Sequence, residues 1–331
     1  MSPLRTFLPS LVLLGACVTG ESTSTTASAP PSAARTASAS GSAGDTKGTP
    51  TSKATRHTVE VEGHPIAVWS KETADPWGAI VLLHGRTWSA RPDFDLQVPG
   101  ESRSLMDALV AEGLTVYAVD QRGYGATPRD ASQWLTPDRA VADMAQVLTW
   151  VGKRHPSLPP PALLGWSLGS LVSQLTAQRH PERLSAVILY GYPRKPGATY
   201  DPDPTPLPEP ERRKTTAKAA AEDFIIPGSI SQAGIDGFVA AALASDPVRM
   251  DWRASDQWNA LDPSAVKTPT LVIHGERDPY APIANQTLLF SQLGDPDRAW
   301  VIVAGGDHAA HLENCGPRFV HAVVGFLRRP H

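Results

Sequence analysis

The chain has 331 residues, with 30 Lys plus Arg against 33 Asp plus Glu and a formal charge of −3, a near balance that argues against a nucleic-acid partner. Its 41% hydrophobic and 19% charged content fits an ordinary globular protein of about two domains by length alone, and no run of 18 apolar residues is present to span a bilayer. Only two cysteines occur, Cys17 and Cys315, which excludes a disulfide scaffold and a Cys-based structural zinc site. Proline is the outlier, at 32 residues against a usual share of about 5%.

The N-terminus places Arg5 ahead of a short apolar stretch, Phe7 to Ala16, which has the layout of a secretory signal and is too short to cross a membrane. Leu14-Gly15-Ala16-Cys17 resembles the lipobox of bacterial lipoproteins, in which the cysteine is lipidated and becomes the new N-terminus. The resemblance implies a signal peptide over 1–16, a lipid on Cys17 and an exported protein anchored to an envelope membrane. Of the 38 residues from Val18 to Thr55, 32 are Ser, Thr, Ala, Gly or Pro. Such a segment cannot bury enough surface to offset its ordering entropy. Residues 17–55 are therefore expected to be a flexible linker, with a reach of about 35 Å. The folded part is then 56–331, and Cys315 reads as a packed core thiol.

Within it, His57–Gly63 alternates polar and apolar residues, and Pro65–Ser70 follows as its hairpin partner. Ala79–Leu83, Leu114–Val119, Ala162–Leu164, Ala186–Tyr190, Thr270–Ile273 and Ala299–Val303 are continuous apolar runs, as expected of strands covered on both faces. Helical patterns over Ser104–Glu112, Pro137–His155, Leu168–Arg179 and Arg318–Leu327 alternate with them. This order predicts a mostly parallel sheet with helices on both faces. About 70 residues, roughly 194–262, interrupt the alternation, far more than a crossover helix needs. Seven prolines from Pro193 to Pro210 favour extended chain there, and Glu211–Ala221 and Ile235–Ala244 look helical. The insert reads as a small cap. Trp252 and Trp258 in its final third are open to two readings, packing residues or a pocket wall.

Gly165-Trp166-Ser167-Leu168-Gly169 fits G-x-S-x-G, directly after an apolar run and at the start of a helical one. A serine on such a turn is forced into a tight backbone, and its hydroxyl is presented at the strand's C-terminal end. The pattern alone is weak; its context carries it. Neither G-x-G-x-x-G after the first strand nor G-x-x-x-x-G-K occurs, so nucleotide binding has no support, and the histidines show no zinc spacing.

The chain here resembles the α/β-hydrolase superfamily over about 56–330. Leu83-His84-Gly85-Arg86 is similar to that family's oxyanion loop, Asp120 to Gly125 to the loop after its fourth strand, and Gly165 to Gly169 to its nucleophile elbow. His274-Gly-Glu-Arg-Asp278-Pro is similar to its acid-bearing loop, and Gly305-Gly-Asp-His308 to its histidine loop. The resemblance implies an eight-stranded, mostly parallel sheet with helices on both faces and a cap inserted before the acid-bearing strand. It implies Ser167 as nucleophile, His308 as general base and Asp278 as the group that orients His308. The backbone N–H groups of Leu168 and Arg86 would form the oxyanion hole, worth about 3 kcal/mol per donor. His311 and His321 compete with His308, and Glu276 with Asp278. Asp307 reads as a turn or cap residue, and His84 as a support for the backbone of its loop. Serine rather than aspartate in the elbow argues against haloalkane dehalogenase or epoxide hydrolase chemistry. The expected function is a cofactor-free and metal-free serine hydrolase of carboxylic esters, acyl lipids included, acting through an acyl-enzyme. An aminopeptidase or amidase on the same fold, and a non-catalytic binding lipoprotein, are the alternatives.

Overall fold

Two-sided burial decides how this chain folds. A computed structural model describes residues 53–330. The expected signal peptide, Cys17 as the expected lipid site and all but the last three residues of the expected linker lie outside them. In chain order the strands are β1 (Thr55–Val61), β2 (His64–Lys71), β3 (Gly78–Leu83), β4 (Leu114–Val119), β5 (Trp134–Leu135), β6 (Ala162–Trp166), β7 (Val187–Tyr190), β8 (Asp251–Trp252), β9 (Thr270–Gly275) and β10 (Arg298–Val303). The helices are α1 (Ala90–Phe94), α2 (Leu105–Ala111), α3 (Pro137–Arg154), α4 (Leu168–Arg179), α5 (Ala217–Ala221), α6 (Gln232–Ser245), α7 (Ile283–Gln292) and α8 (Gly316–Leu327).

Eight strands form one sheet in the order β1-β2-β4-β3-β6-β7-β9-β10. The β1/β2 and β2/β4 pairs are antiparallel and all others are parallel. Alternate residues of the central strands feed two separate cores, because successive side chains leave opposite faces of a strand. Val81, Leu83, Val119, Leu163, Leu189 and Val272 pack with α3 and α4 through Val141, Met144, Val151, Leu171 and Leu175. Ile80, Leu82, Val116, Leu164, Ile188 and Ile273 pack with α2 and α8 through Leu105, Leu109, Phe319 and Val323. Each fully buried aliphatic side chain of this kind contributes about 1.5–3 kcal/mol.

The helices begin where their caps lie. Ser104 Oγ accepts from Asp107 N–H at 3.0 Å ahead of α2, and Thr136 Oγ1 from Arg139 N–H at 3.3 Å ahead of α3, with Pro137 as the first helical residue. A buried bidentate pair, Arg122 to Asp143 at 2.7 and 2.8 Å, ties the loop after β4 to α3.

Between β7 and β9 the chain leaves the sheet. Residues 193–210 form neither helix nor strand, as their prolines suggest. The helix expected over Glu211–Ala221 is reduced to α5. Lys214 is instead extended and bridged to Val248, and Thr216 Oγ1 starts the helix by accepting from Ala219 N–H at 3.1 Å. α6 extends the expected 235–244 helix in both directions. Two helices have no counterpart in the expectation: α1 is one short turn containing Pro92, and α7 lacks a clear apolar period. The cap segment has a small core of its own, in which Ala220, Phe238 and Ala242 pack on Trp88, Leu96 and Leu312. Trp252 and Trp258 stack on each other with centroids 6.1 Å apart. Trp258 is buried in the core and packs there, whereas Trp252, whose Nε1–H donates to the Tyr124 hydroxyl at 2.8 Å, also lines a cavity with Arg86 and Arg249.

Removing one member of the Arg122–Asp143 pair leaves a buried charge uncompensated. Arg122→Ala is expected to lower the unfolding free energy by about 3–5 kcal/mol in denaturant titrations. Arg213→Ala, which breaks the exposed pair with Glu211, should change it by less than about 1 kcal/mol.

Candidate active site

Ser167 stands between β6 and α4 with φ 54° and ψ −121°, a conformation that costs a non-glycine residue about 1–3 kcal/mol. Its neighbours show why it is held. A Cβ on Gly165 would fall 2.2 Å from Gly169 O and 2.3 Å from Ser173 Oγ; one on Gly169 would fall 2.5 Å from the carbonyls of Leu83 and His84. Strand, helix and the loop after β3 therefore meet at backbone-to-backbone distance, leaving no slack for a relaxed turn. Leu168 opens α4, so its N–H has no carbonyl one helical turn earlier to bond.

The loop after β3 comes against this turn. A Cβ on Gly85 would lie 3.3 Å from Ser167 Cβ. His84 is buried beneath the loop. Its Nε2 accepts from Gln121 N–H at 3.1 Å, which leaves the proton on Nδ1 to be donated to Gly85 O at 2.9 Å. Burial holds its pKa down at about 4, so the ring is neutral and serves the loop backbone. Tyr124 O–H fastens the next carbonyl, Arg86 O, at 2.6 Å.

Asp278 and His308 arrive on the loops after β9 and β10. His308 Nδ1 is 2.8 Å from Asp278 Oδ2, and both side chains are buried. Asp278 Oδ1 accepts from the backbone N–H groups of Tyr280 and Ala281 at 2.9 and 3.2 Å. The carboxylate is fully used, and its acceptor role puts the Nδ1 proton on His308. The His308 carbonyl takes two donors, Trp166 Nε1–H and Tyr190 O–H, each at 2.8 Å. Trp166 precedes Ser167 in the elbow, so the strand that carries Ser167 also grips the backbone of His308.

The competing residues lie elsewhere. His311 is buried behind the site, its Nε2 bonded to Asp93 O at 2.8 Å, and burial holds its pKa at about 3. His321 is exposed on α8. Glu276 is exposed and accepts from Gly305 N–H at 2.9 Å. Asp307 turns away from His308. Its Oδ2 accepts from the N–H groups of Ile225 and Ile226 at 2.7 and 3.0 Å and so fastens the cap to the histidine loop. Cys315 is buried, and burial with the nearby Glu313 pushes its thiol to about 12.

Ser167 and His308 line one cavity of about 310 Å³, with Gly85, Arg86, Trp166 and Tyr280 also in its wall. Three further wall residues were not anticipated: Asp93 on α1, Asp223 after α5 and Arg249 before β8. None sits in a recognisable motif, and burial against distant parts of the chain is the property that singles them out. Among the described residues no group of side chains is arranged to hold a metal ion.

A family model described as serine aminopeptidase, S33, matches residues 74–208, a span that includes the elbow and ends before Asp278 and His308. The chain is 26% identical over 246 residues to a monoacylglycerol lipase of Mycolicibacterium smegmatis, covering 70% of this chain and 80% of that one. Its fold is similar to that of a hydrolase from Pseudomonas aeruginosa, at a TM-score of 0.60 and 18% identity, covering 84% of this chain and 100% of the other. It is also similar to epoxide hydrolase A from Mycobacterium thermoresistibile, at a TM-score of 0.58 and 21% identity, over 83% and 98%.

Gly191, at φ +56°, is the back wall of the His308–Asp278 pair. A Cβ there would lie 3.0 Å from His308 Cε1 and 3.1 Å from Asp278 Oδ2. Gly191→Ala is expected to destabilise the fold by about 1–2 kcal/mol in thermal denaturation. It should also remove the downfield Nδ1 proton resonance of His308, which a purely remote effect on stability would leave in place. With its eight-stranded sheet, its elbow and these relatives, the chain is an esterase/lipase-like enzyme of the α/β-hydrolase fold.

Proposed function

We propose that the protein is a serine hydrolase that cleaves a carboxylic ester through an acyl-enzyme, with Ser167, His308 and Asp278 as its triad. The observation that carries this reading is the shared cavity. It joins a serine in a strained elbow to a histidine whose Nδ1 is committed to a buried carboxylate. In that tautomer His308 Nε2 is free to accept the Ser167 proton as Oγ attacks the ester carbonyl, and to return it to the departing alcohol. Asp278 stabilises the imidazolium formed in between. The developing oxyanion is assigned to the N–H groups of Leu168 and Arg86. Water then repeats the sequence on the acyl-enzyme.

The monoacylglycerol lipase relative supports an ester substrate, with acyl lipids among the candidates. The cavity is at the small end of the usual range of about 300–1,000 Å³, which favours a compact acyl or alcohol group inside it. The reading extends to location: lipid on Cys17 and the linker behind it would hold the catalytic body at an envelope membrane without inserting it. Among the described residues no helix is long and apolar enough to cross one.

A fluorophosphonate probe should label the protein, and Ser167→Ala should abolish both labelling and hydrolysis of nitrophenyl esters. Asp278→Asn is expected to lower kcat by about 10⁴-fold while leaving KM within a few-fold. Equal labelling of Ser167→Ala would overturn the assignment. For the anchor, Cys17→Ala should move the protein from the membrane to the soluble fraction. Unchanged membrane association would refute lipidation there.

A further inference from the structure

Two cavities share one pair of arginines. Arg86 and Arg249 stand in the wall of the Ser167 cavity and again in the wall of a neighbouring cavity of about 440 Å³. Neither guanidinium has a hydrogen-bond or ion-pair partner among the described residues. Elsewhere in the chain arginines are held: Arg122 by Asp143, Arg129 by Asp251 and Arg329 by Asp297. Arg249 is half-buried, and burial together with the charges of Arg86 and Arg213 works against its protonated form. A guanidinium does not lose its proton in a protein, so like charges stay side by side here without a counter-ion. The acids nearby are engaged elsewhere. Asp93 takes a backbone bond from Gly85, its oxygens are closed off from the cavity, and burial raises it well above the usual carboxylate range. Asp223 accepts from Trp88 Nε1–H at 2.6 Å; burial raises it to about 6, and the Arg249 charge acts on it less than burial does. In the second cavity Asp251 is bonded to Arg129 at 3.3 Å and to Arg212 N–H at 3.2 Å, Glu211 pairs with Arg213 at 2.7 Å, and Glu209 is exposed.

The group that completes such a wall is an anion with oxygens to share between two donor forks. A carboxylate fits: each guanidinium presents a planar fork of N–H groups that matches its two oxygens, and it is small enough for a cavity of about 310 Å³. We propose that Arg86 and Arg249 form a carboxylate-binding subsite where the two cavities meet, so that the enzyme selects esters carrying a free carboxylate on their acyl or alcohol side. The inference rests on the reading of Ser167 as nucleophile and narrows its substrate class to anionic esters. Arg86 then has two duties. Its backbone N–H is assigned to the oxyanion, and its side chain holds the remote charge of the same substrate. The subsite therefore lies within one arginine side chain of the reacting carbonyl, and an ion pair made there orients the ester for attack. The two arginines come from distant parts of the chain, Arg86 from the loop after β3 and Arg249 from the cap. The cap, fastened by Asp307 to the histidine loop, thereby supplies half of the selectivity.

The test compares kcat/KM of the full chain for two matched pairs of esters. In the first, 4-nitrophenyl hydrogen adipate against 4-nitrophenyl hexanoate, the charge is on the acyl side. In the second, 4-butyryloxybenzoate against its methyl ester, it is on the leaving side. The unaltered protein is expected to prefer the charged member of one pair by about tenfold or more, and the pair that shows it assigns the side. Arg249→Gln and Arg86→Gln should each cut that preference about tenfold, and Arg249→Lys, which keeps the charge but loses the fork, should retain part of it. Fluorophosphonate labelling of Ser167 reports that each variant is folded. No preference for the charged member in either pair would overturn the proposal, as would a preference that both glutamine variants leave intact. Calorimetric binding of hexanoate against hexanamide to the same proteins separates this failure from that of the reaction. An Arg249-dependent preference for hexanoate in protein that fluorophosphonate does not label would support the subsite while sinking the proposed reaction. Labelling without any charge preference would sink the subsite alone.

Discussion

The backbone of Ser167 is the constraint from which the rest of the site follows. A serine rests at φ 54°, ψ −121° only where the surroundings over-determine it. Here β6 is buried on both faces and α4 is buried along most of its length, while Gly165 and Gly169 bring strand, helix and the His84 loop within van der Waals contact of one another. The burial of dozens of apolar side chains on the two faces of the sheet outweighs the local strain many times over. The turn cannot relax without separating elements that each core holds together.

From that turn the neighbouring parts are positioned in sequence. Trp166, one residue before the serine, bonds the His308 carbonyl, and Tyr190 on the next strand bonds the same atom. Their rings stack at 6.0 Å, as adjacent parallel strands allow. His308 is therefore placed by the β6–β7 pair as much as by its own loop. On the other side the neutral His84 and the Tyr124 hydroxyl hold the Gly85–Arg86 backbone against the elbow. These supports are hydrogen bonds to backbone carbonyls, which fix loop geometry without adding charge near the serine.

The cap adds a different kind of chemistry. Its attachment depends on Asp307, next to His308, and on a small core over α1. It carries acidic and basic side chains, Asp223 and Arg249, into a cavity whose remaining wall holds Arg86, Asp93 and His308.

The sequence by itself determined the sheet and most of the helices, because two-sided burial writes continuous apolar runs for strands, and caps such as Ser104 and Thr136 mark where helices begin. The Ser167 elbow and the loops bearing Asp278 and His308 were legible for the same reason: each follows an apolar run at the end that points to the site. Only the tertiary structure could separate His308 from His311, three residues apart, since the choice depends on which ring meets Asp278 and which is enclosed by Asp93 O and Tyr190. Short or weakly periodic elements, α1 and α7, and the shortened α5 were set by packing and by the Lys214–Val248 bridge, not by local propensity. The meeting of Asp93 and Asp223 in one cavity wall left no mark in the sequence at all. A carboxylate's meaning depends on its partners, and these two residues are 130 positions apart until the cap folds over the sheet.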